Sequence, residues 1–273
     1  MIGQGALYTP LEADRLAERM DYAVLGPSDG RRRVFRTTVR PFSAVCHIGR
    51  DFGTGGLSRC TAFLIGPRLA LTAGHCLYSL RRGRGPRRIL VTPARNGVSR
   101  PFGSQWARSW YVPPAFMRRP VPSSDWGVIC LSRPFPGVAP LTPRALSSAA
   151  LARIRPIKLL TISGYPSDKP PGEMWTHRER LDRFGTGLLS YSVDTCPGQS
   201  GAPIWINRAD GSSGVIGIHT RGPKVSAQGP WGCRPGAPFA PPSHFNAGIR
   251  ITSDLIAAAR AAEQGTGPLR RPD

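Results

Sequence analysis

Three short segments of the chain carry the residue types that nucleophilic hydrolysis of a carbonyl group requires. His75 ends an apolar run, Asp125 opens a second apolar stretch, and Ser200 lies in a glycine-rich turn. A serine hydroxyl is a weak nucleophile at neutral pH, so it needs a base within hydrogen-bond reach. His75 would accept the proton of Ser200 and later return it to the leaving amine, while Asp125 would hold the imidazole in the required tautomer. Each segment alone is common, but together they predict a catalytic triad.

The turn around the serine also predicts a binding site for negative charge. Gly198, two residues before Ser200, lets the backbone turn so that the N–H groups of Gly198 and Ser200 point at one spot. The carbonyl oxygen of a substrate would become an oxyanion there, and losing one such donor typically costs about 10²–10³ in rate. We therefore predict an oxyanion hole made by these two amides.

The elements that must position these residues are short strands separated by loops rich in glycine and proline. The 273 residues include 32 glycines and 29 prolines, and β-branched runs lie between turn residues, which favours an all-β fold. Strands are predicted at residues 43–48, 61–65, 69–72, 88–91, 127–131, 158–164, 187–192, 203–206, 215–219 and 248–251. A helix is predicted over 253–262, and the proline-rich stretch 133–150 is the best linker candidate. The layout fits two antiparallel β-barrels joined by a linker.

Several stretches carry a family resemblance. TAGHC at 72–76 and GQSGAP at 198–203, in this order, resemble the chymotrypsin-like serine peptidases. The stretches 23–26, 36–38, 95–97, 164–170 and 217–220 are similar to those of the bacterial glutamyl endopeptidase branch, and the likeness runs from about residue 23 to residue 262. It implies two antiparallel six-stranded β-barrels, a C-terminal helix and an active site between the barrels.

The resemblance also suggests how the chain is divided. The expected parts are an N-terminal arm or pro-segment (1–22), the first barrel with His75 and Asp125 (23–135), the linker and second barrel with Ser200 and the specificity pocket (136–252), and the C-terminal helix and tail (253–273).

Residues 1–22 contain a predicted helix over 11–20. They lack the basic and apolar regions of a secretory signal. They are either a docked arm or a pro-segment that is removed before Ala23 or Val24. By resemblance, the freed N-terminus would lie near the specificity pocket. Chymotrypsin-like zymogens use an aspartate directly before the serine for activation, and because Gln199 stands there we expect that switch to be absent.

The spacing of the six cysteines favours disulfides over a metal site, since no Cys-x₂₋₄-Cys pair occurs. The resemblance implies the disulfides Cys60–Cys76 and Cys196–Cys233. Cys46 and Cys130 lie in apolar strands and are either buried free thiols or a third bridge. Disulfides argue for a secreted or extracytoplasmic protein, and no metal or cofactor is predicted.

Thr195 and His219 are the candidate specificity residues. In glutamyl endopeptidases the matching threonine and histidine hydrogen-bond a substrate glutamate, and a buried carboxylate needs such donors. By the same resemblance Thr220 would hydrogen-bond Asp125, and Arg221, two residues beyond His219, would add positive potential.

Asp194 supports an alternative specificity. It lies six residues before Ser200, the offset at which trypsin-like enzymes carry the acid that binds arginine or lysine. The charge balance favours acidic substrates. An enzyme with 37 Lys and Arg residues would offer itself many cleavage sites if it cut after basic residues, and its net charge of +21 would repel basic substrates. The prediction is cleavage after Glu, with Asp the second candidate, and the alternative is cleavage after Arg or Lys.

The same charge supports a rival function, a catalytically idle cationic module that uses the protease scaffold for binding alone. Its best evidence is the arginine clusters at 31–33 and 81–88. Neither cluster interleaves aromatic residues as single-strand binders do, so no specific nucleic-acid partner is predicted. No apolar run approaches the roughly 20 residues of a membrane span. The expected partners are protein or peptide substrates, acidic ones among them, and we expect a monomer.

Overall fold

The computed structural model describes residues 23–25, 28–118, 120–207, 213–223, 231–241 and 244–272. The helix predicted over 11–20 lies outside these residues. The described strands are β1 (Arg32–Arg33), β2 (Val45–Asp51), β3 (Leu57–Gly66), β4 (Leu69–Thr72), β5 (Arg88–Pro93), β6 (Gln105–Tyr111), β7 (Gly127–Leu131), β8 (Thr142–Pro143), β9 (Leu159–Gly164), β10 (Trp175–Phe184), β11 (Leu188–Tyr191), β12 (Pro203–Asn207), β13 (Ser213–Arg221) and β14 (Asn246–Arg250). The helices are α1 (Pro114–Arg118), α2 (Ser148–Ile154) and α3 (Ser253–Glu263), with 3₁₀ turns at Phe42–Ala44, Gly74–Cys76 and Pro122–Ser124.

The first barrel is a closed antiparallel sheet in the order β2-β3-β4-β7-β6-β5. Strand β2 pairs with both β3 and β5, which closes the ring. Every residue of β4 and β7 is buried. The sequences of these two strands are therefore almost continuously apolar, because one face of each strand lines the barrel and helix α3 covers the other.

Helix α3 begins at a cap that the sequence encodes. The side-chain oxygen of Thr252 accepts the N–H of Leu255 at 3.2 Å, which satisfies one of the free amides of the first turn. Leu255, Ala259 and Ala262 form the buried face. The 3.6-residue period of the helix puts these three side chains on one stripe against β4 and β7.

The second barrel closes in the order β9-β10-β11-β14-β13-β12, because β9 pairs with both β10 and β12. Strand β1 extends the sheet beside β10, and β8 pairs in parallel with β13. The predicted architecture of two six-stranded barrels with a C-terminal helix is thus confirmed. Within the described ranges no helix is both long and apolar enough to cross a membrane.

Three expectations need correction. Strands β6 and β10 were not predicted, because each places exposed polar or charged residues on its outer face, as the Trp175–Phe184 strand does with Arg178, Arg180 and Arg183. The predicted first-barrel part begins too early, since Ala23 bonds to Asn246 and β1 pairs with β10, which places residues 23–25 and 28–33 on the second barrel. The predicted linker, 133–150, also carries the two-residue strand β8 and the first three residues of helix α2.

Candidate active site

His75 and Asp125 meet at the end of the first barrel that faces the second. His75 lies in a 3₁₀ turn directly after β4, and Asp125 lies just before β7, the strand that pairs with β4. The Nδ1 atom of His75 lies 2.9 Å from Oδ2 of Asp125, and the His75 backbone N–H donates to Oδ1 at 2.9 Å. A side chain at Gly74 would crowd this pair, since its Cβ would lie 3.2 Å from Oδ1 of Asp125. The carboxylate therefore fixes both the ring and the backbone of the histidine.

Electrostatics keep Asp125 ionised. Burial by itself raises the pKa of this carboxyl group, but the charge and hydrogen bonds of His75 and the charge of Arg221 outweigh it, so that the pKa is lowered. The His75 side chain is 30% exposed and that of Asp125 only 12%, so a substrate can reach the ring while the carboxylate stays covered. The pair can therefore take up a proton on the open side of the imidazole.

The Ser200 turn is bonded to the first barrel through Thr61 of β3. The backbone N–H of Thr61 donates to the Ser200 carbonyl oxygen at 2.8 Å, and the Thr61 hydroxyl donates to the Gly198 carbonyl oxygen at 2.9 Å. The sulfur of Cys76, the residue after His75, lies 3.7 Å from the Ser200 carbonyl oxygen. The backbone of the Ser200 turn is thus bonded to β3 and lies beside Cys76, the neighbour of His75, while the triad of the three side chains stays a prediction.

Two glycines make this close approach sterically feasible. Gly198 has φ = +97° and Gly201 has φ = +83°, values that disfavour any residue with a side chain. A Cβ on Gly201 would collide with the carbonyl oxygen of Thr61 and the hydroxyl of Thr72. The glycine two residues before Ser200 therefore has a backbone conformation that a residue with a side chain would resist, and its part in an oxyanion hole stays a prediction.

Thr195 and His219 flank the Ser200 turn from the second barrel. The backbone of His219 pairs with the residues after Ser200, since its carbonyl oxygen accepts from Gly201 at 2.7 Å and its N–H donates to Ala202 at 2.8 Å. Thr195 is fully buried, and among the described residues its hydroxyl has no hydrogen-bond partner. A buried hydroxyl without a partner is costly, so this group points to a polar ligand.

A buried tyrosine orients His219. The hydroxyl of Tyr191 lies 2.6 Å from Nδ1 of His219, and both side chains are buried. Burial, with the charge of His75, lowers the pKa of His219 to about 3, and this exceeds the opposing effects of the Ala247 carbonyl and of Asp125. His219 is therefore neutral at pH 7. A neutral imidazole carries one proton, and in the tautomer in which the Tyr191 hydroxyl donates to Nδ1 that proton is on Nε2.

The carboxylate of Asp194 bonds to the N-terminal segment of the described chain. Its Oδ1 accepts the N–H of Leu25 at 2.7 Å, and its Oδ2 accepts the N–H of Gly30 at 2.8 Å. The Asp194 backbone N–H donates to Nδ1 of His177 at 2.8 Å, so that nitrogen carries no proton and the 3.4 Å approach to Oδ2 is not an ion pair. Burial raises the pKa of Asp194. Both oxygens are thus occupied within the protein, which argues against the alternative that Asp194 binds a basic substrate residue.

Arg221 lies against the loop before Asp125 rather than beside Thr195. Its guanidinium donates to the Pro122 carbonyl oxygen at 2.6 Å, and its charge contributes to the lowered pKa of Asp125. The predicted positive potential therefore acts on the aspartate. Thr220 is buried on β13 between His219 and Arg221, and its hydrogen bond to Asp125 stays a prediction.

Both disulfides that the resemblance implies are formed. Cys60 bonds to Cys76 beside His75, and Cys196 bonds to Cys233 near the Ser200 turn. Cys46 and Cys130 are free and buried, which decides between the two alternatives for this pair.

Sequence reasoning missed three supports of the site. Tyr191 ends a short apolar strand and gives no local signal. Asn246 accepts the Ala23 N–H at 3.0 Å and donates to the Val193 carbonyl oxygen at 2.8 Å. Arg31, assigned above only to a charge cluster, is buried and binds Asp29 and Asp168 at 2.8 and 2.6 Å, with one nitrogen 3.4 Å from Oε1 of Gln199.

Comparisons with known proteins agree with this geometry. Residues 32–237 match the trypsin family. A glutamyl endopeptidase of Bacillus licheniformis is 34% identical over 238 residues, which covers 86% of this chain and 67% of that protein. A Bacillus subtilis protein named extracellular metalloprotease is 30% identical over 232 residues, which covers 84% of this chain and 66% of that protein. A solved Glu endopeptidase structure superposes with a TM-score of 0.69 at 24% identity, covering 88% of this chain and 99% of the other.

The name of the second relative raises the question of a metal. Among the described residues, the one group of three close candidate ligands is Cys60, His75 and Cys76. The two sulfurs are bonded to each other, so neither is the thiolate that a metal would require. These residues do not fit a metal centre.

Sequence, fold and site geometry agree. Hydrogen bonds between β3 and the Ser200 turn join two closed six-stranded barrels, and His75 and Asp125 are hydrogen-bonded to each other. The family match covers most of the chain. The chain therefore belongs to the trypsin family of serine endopeptidases.

Proposed function

We propose that the protein cleaves peptide bonds through a triad of His75, Asp125 and Ser200, and that it cuts after glutamate. The observation that carries the proposal is the pair of contacts between Asp125 and the ring and backbone of His75, each 2.9 Å, next to the Ser200 turn. A carboxylate that orients a partly exposed imidazole beside a serine is the arrangement that acyl transfer requires.

In the proposed reaction Nε2 of His75 takes the proton of the Ser200 hydroxyl as its oxygen attacks the carbonyl carbon. The negative charge moves to the carbonyl oxygen, where the Gly198 and Ser200 amides donate hydrogen bonds to it. His75 then gives its proton to the leaving nitrogen, the C–N bond breaks, and an ester on Ser200 remains. A water molecule, deprotonated by His75, hydrolyses that ester and regenerates the serine.

Glutamate specificity is supported by the donors near the Ser200 turn. The Thr195 hydroxyl is buried without a partner among the described residues, and we propose that the Tyr191 hydroxyl donates to Nδ1 of His219, which leaves the proton of that ring on Nε2. A hydroxyl and an imidazole N–H together suit a substrate carboxylate, whose buried charge must be matched by donors. Asp194 is already bonded to Leu25 and Gly30, so we propose glutamate rather than arginine or lysine.

The docking of residues 23–25 supports a processing step before Ala23. Ala23 is fully buried, its N–H donates to Oδ1 of Asn246 at 3.0 Å, and its carbonyl oxygen accepts the N–H of Thr195 at 3.1 Å. Val24 packs against the Cys196–Cys233 disulfide. Removal of residues 1–22 would place an ammonium group beside Thr195, where it would add positive charge to the pocket. N-terminal sequencing of an active preparation tests this step: a chain that begins at Ala23 is expected, and full activity with Met1 present contradicts it.

We also propose that the protein works outside the cytoplasm. Two disulfides are formed, and such bonds persist in oxidising compartments. The Bacillus subtilis relative is called extracellular by name.

The test of specificity is a peptide library in which only the residue before the cleaved bond varies. The expected profile has glutamate first and aspartate second, with no cleavage by the Ser200→Ala variant. Cleavage after arginine or lysine would overturn the glutamate proposal, and the absence of any cleavage by the processed chain would favour the idle binding module.

A further inference from the structure

Two loops of the first barrel form a strongly cationic surface beside His75. Residues 50–59 comprise the end of β2, the turn after it and the start of β3. Residues 77–88 run from the Cys60–Cys76 disulfide to the first residue of β5. Together they contain seven arginines and a single acidic residue, Asp51. We call these seven side chains the arginine rim: Arg50, Arg59, Arg81, Arg82, Arg84, Arg87 and Arg88.

The two loops are bonded to each other and act as one surface. Arg84 donates to the Phe52 carbonyl oxygen at 3.1 Å, and the Arg87 N–H donates to the Asp51 carbonyl oxygen at 2.6 Å. The guanidinium of Arg82 lies 5.1 Å from the centre of the Phe52 ring. A buried aromatic ring and backbone bonds therefore hold the charges close together despite their mutual repulsion.

The rim reaches the catalytic residues directly. Arg50 donates one hydrogen bond to the His75 carbonyl oxygen at 3.1 Å and another to the Arg59 carbonyl oxygen at 3.2 Å. Arg59 lies two residues before Thr61, whose N–H binds the Ser200 carbonyl oxygen, and two residues of strand span roughly 7 Å. Arg50 and Arg59 thus lie beside the segments of His75 and Ser200, and the contacts of residues 82, 84 and 87 with residues 51 and 52 connect the second loop to them.

The chemistry of the reaction determines which part of a substrate passes the rim. The residue before the cleaved bond is held over the second barrel, where Thr195 and His219 lie. The leaving nitrogen must be beside His75, because that ring protonates it. The chain that follows the leaving nitrogen therefore continues past His75 and over the loops of the first barrel.

We infer that the arginine rim binds acidic side chains on the leaving-group side of the cleaved bond. The inference rests on the proposed peptidase function and extends it: the preferred substrates are acidic stretches, with carboxylates after the cleaved residue as well as at it. Asp51, the acidic residue of these two segments, forms an ion pair with Arg88 at 3.0 Å. Exposed charges near an active site mainly raise the rate at which enzyme and substrate meet. Their effect on kcat/KM is therefore expected to fall as the salt concentration rises.

The test compares internally quenched peptides that are identical up to the cleaved bond. The three residues after it are Asp-Glu-Asp, Asn-Gln-Asn or Lys-Arg-Lys, and the residue before it is whichever one the library profile ranks first. At an ionic strength of about 0.01 M we expect kcat/KM for the acidic peptide to exceed that for the neutral one by about three- to tenfold, with the basic peptide below both. At about 1 M salt the ratio should approach one.

A charge-matched pair of variants separates the rim from the overall charge of the protein. The rim variant is Arg59→Gln/Arg81→Gln/Arg82→Gln. The control variant is Arg144→Gln/Arg153→Gln/Arg260→Gln, three exposed arginines in the linker, α2 and α3. Both remove three charges, but only the rim variant is expected to bring the acidic-to-neutral ratio close to one.

The two proposals fail in different ways. A change in the preferred residue before the cleaved bond overturns glutamate specificity and leaves the ratio measurable. At low salt, a ratio near one between kcat/KM for the acidic and for the neutral peptide in the wild type overturns the proposal that the arginine rim binds acidic side chains. An equal decrease of this ratio in both variants overturns it as well. Retention on an oligonucleotide column that the rim variant loses, with no change in the peptide ratio, would also overturn it and assign the surface to polyanions instead.

Discussion

Thr195→Val is expected to stabilise the protein while it weakens cleavage after glutamate. The Thr195 hydroxyl is buried and, in the described part of the chain, has no hydrogen-bond partner. An unsatisfied buried polar group costs about 1–3 kcal/mol, and valine keeps the shape while removing that group. We expect the free energy of unfolding to rise by about 1 kcal/mol, which corresponds to about 2–4 °C in Tm for a protein of this size.

The same change removes a donor for the substrate carboxylate. A hydrogen bond to a charged group contributes about 1.5–3 kcal/mol, which is about tenfold to 150-fold in kcat/KM. The loss should be largest for a peptide with glutamate before the cleaved bond and smaller for the same peptide with glutamine, because the amide carries no charge. Steady-state kinetics on the two peptides, together with thermal unfolding, measure both effects.

Thr37→Val is the matched control. Thr37 is also buried, at 2% exposure, but its hydroxyl donates to the Ala94 carbonyl oxygen at 2.8 Å. This variant should lose about 1 kcal/mol of stability, since it leaves an acceptor unpaired, and keep its specificity. If Thr195→Val is destabilised like Thr37→Val, or cleaves the glutamate peptide at the wild-type rate, the assignment of Thr195 to the substrate is refuted.

Three further predictions address the charges of the site and the core. Asp125→Asn should lower kcat by about 10⁴ in steady-state assays with little change in KM, because the amide disfavours the required tautomer of His75; a drop of less than tenfold contradicts its role. Arg31→Met should cost about 3–5 kcal/mol in urea unfolding, since it leaves two partly buried carboxylates without their cation, whereas Arg33→Met, whose side chain is 33% exposed, should cost at most about 1 kcal/mol. Burial, with nearby arginine charges, lowers the pKa of His47 from 6.5 to about 3, so between these pH values the unfolded chain binds a proton that the folded chain does not. Stability should fall as the pH drops below 6.5, by up to roughly 1.4 kcal/mol per pH unit for this group, and His47→Gln should flatten the urea-unfolding profile there; an unchanged slope would contradict the buried neutral ring.

The sequence predicted best the strands that are apolar on both faces. The bounds of β4 and β7 were predicted without error, because burial on both sides makes them uninterrupted apolar runs. Strand β10 has three consecutive charged residues at 178–180, and these conceal the period of two that is typical of a strand with one buried face. Its place in the barrel follows from pairing with β9 and β11, which no local pattern reveals.

The candidate site divides in a similar way. His75, Asp125 and Ser200 lie in short stretches with distinctive local composition, so their types and order were enough to predict a triad, of which the structure shows the contact between His75 and Asp125. Tyr191 and the partners of Asp194 depend on which segments pack together in three dimensions. The offset of Asp194 from Ser200 suggested a substrate role, and only the fold shows that its two oxygens bond to the backbone of residues 25 and 30.

The most direct test of the central claim is the mass of the protein after reaction with a fluorophosphonate, which modifies only serines that a base has activated. The account predicts one adduct per chain, located at Ser200 by peptide mapping and abolished in the Ser200→Ala and His75→Ala variants. An unmodified chain in a preparation that cleaves peptides, or an adduct at another residue, would contradict it.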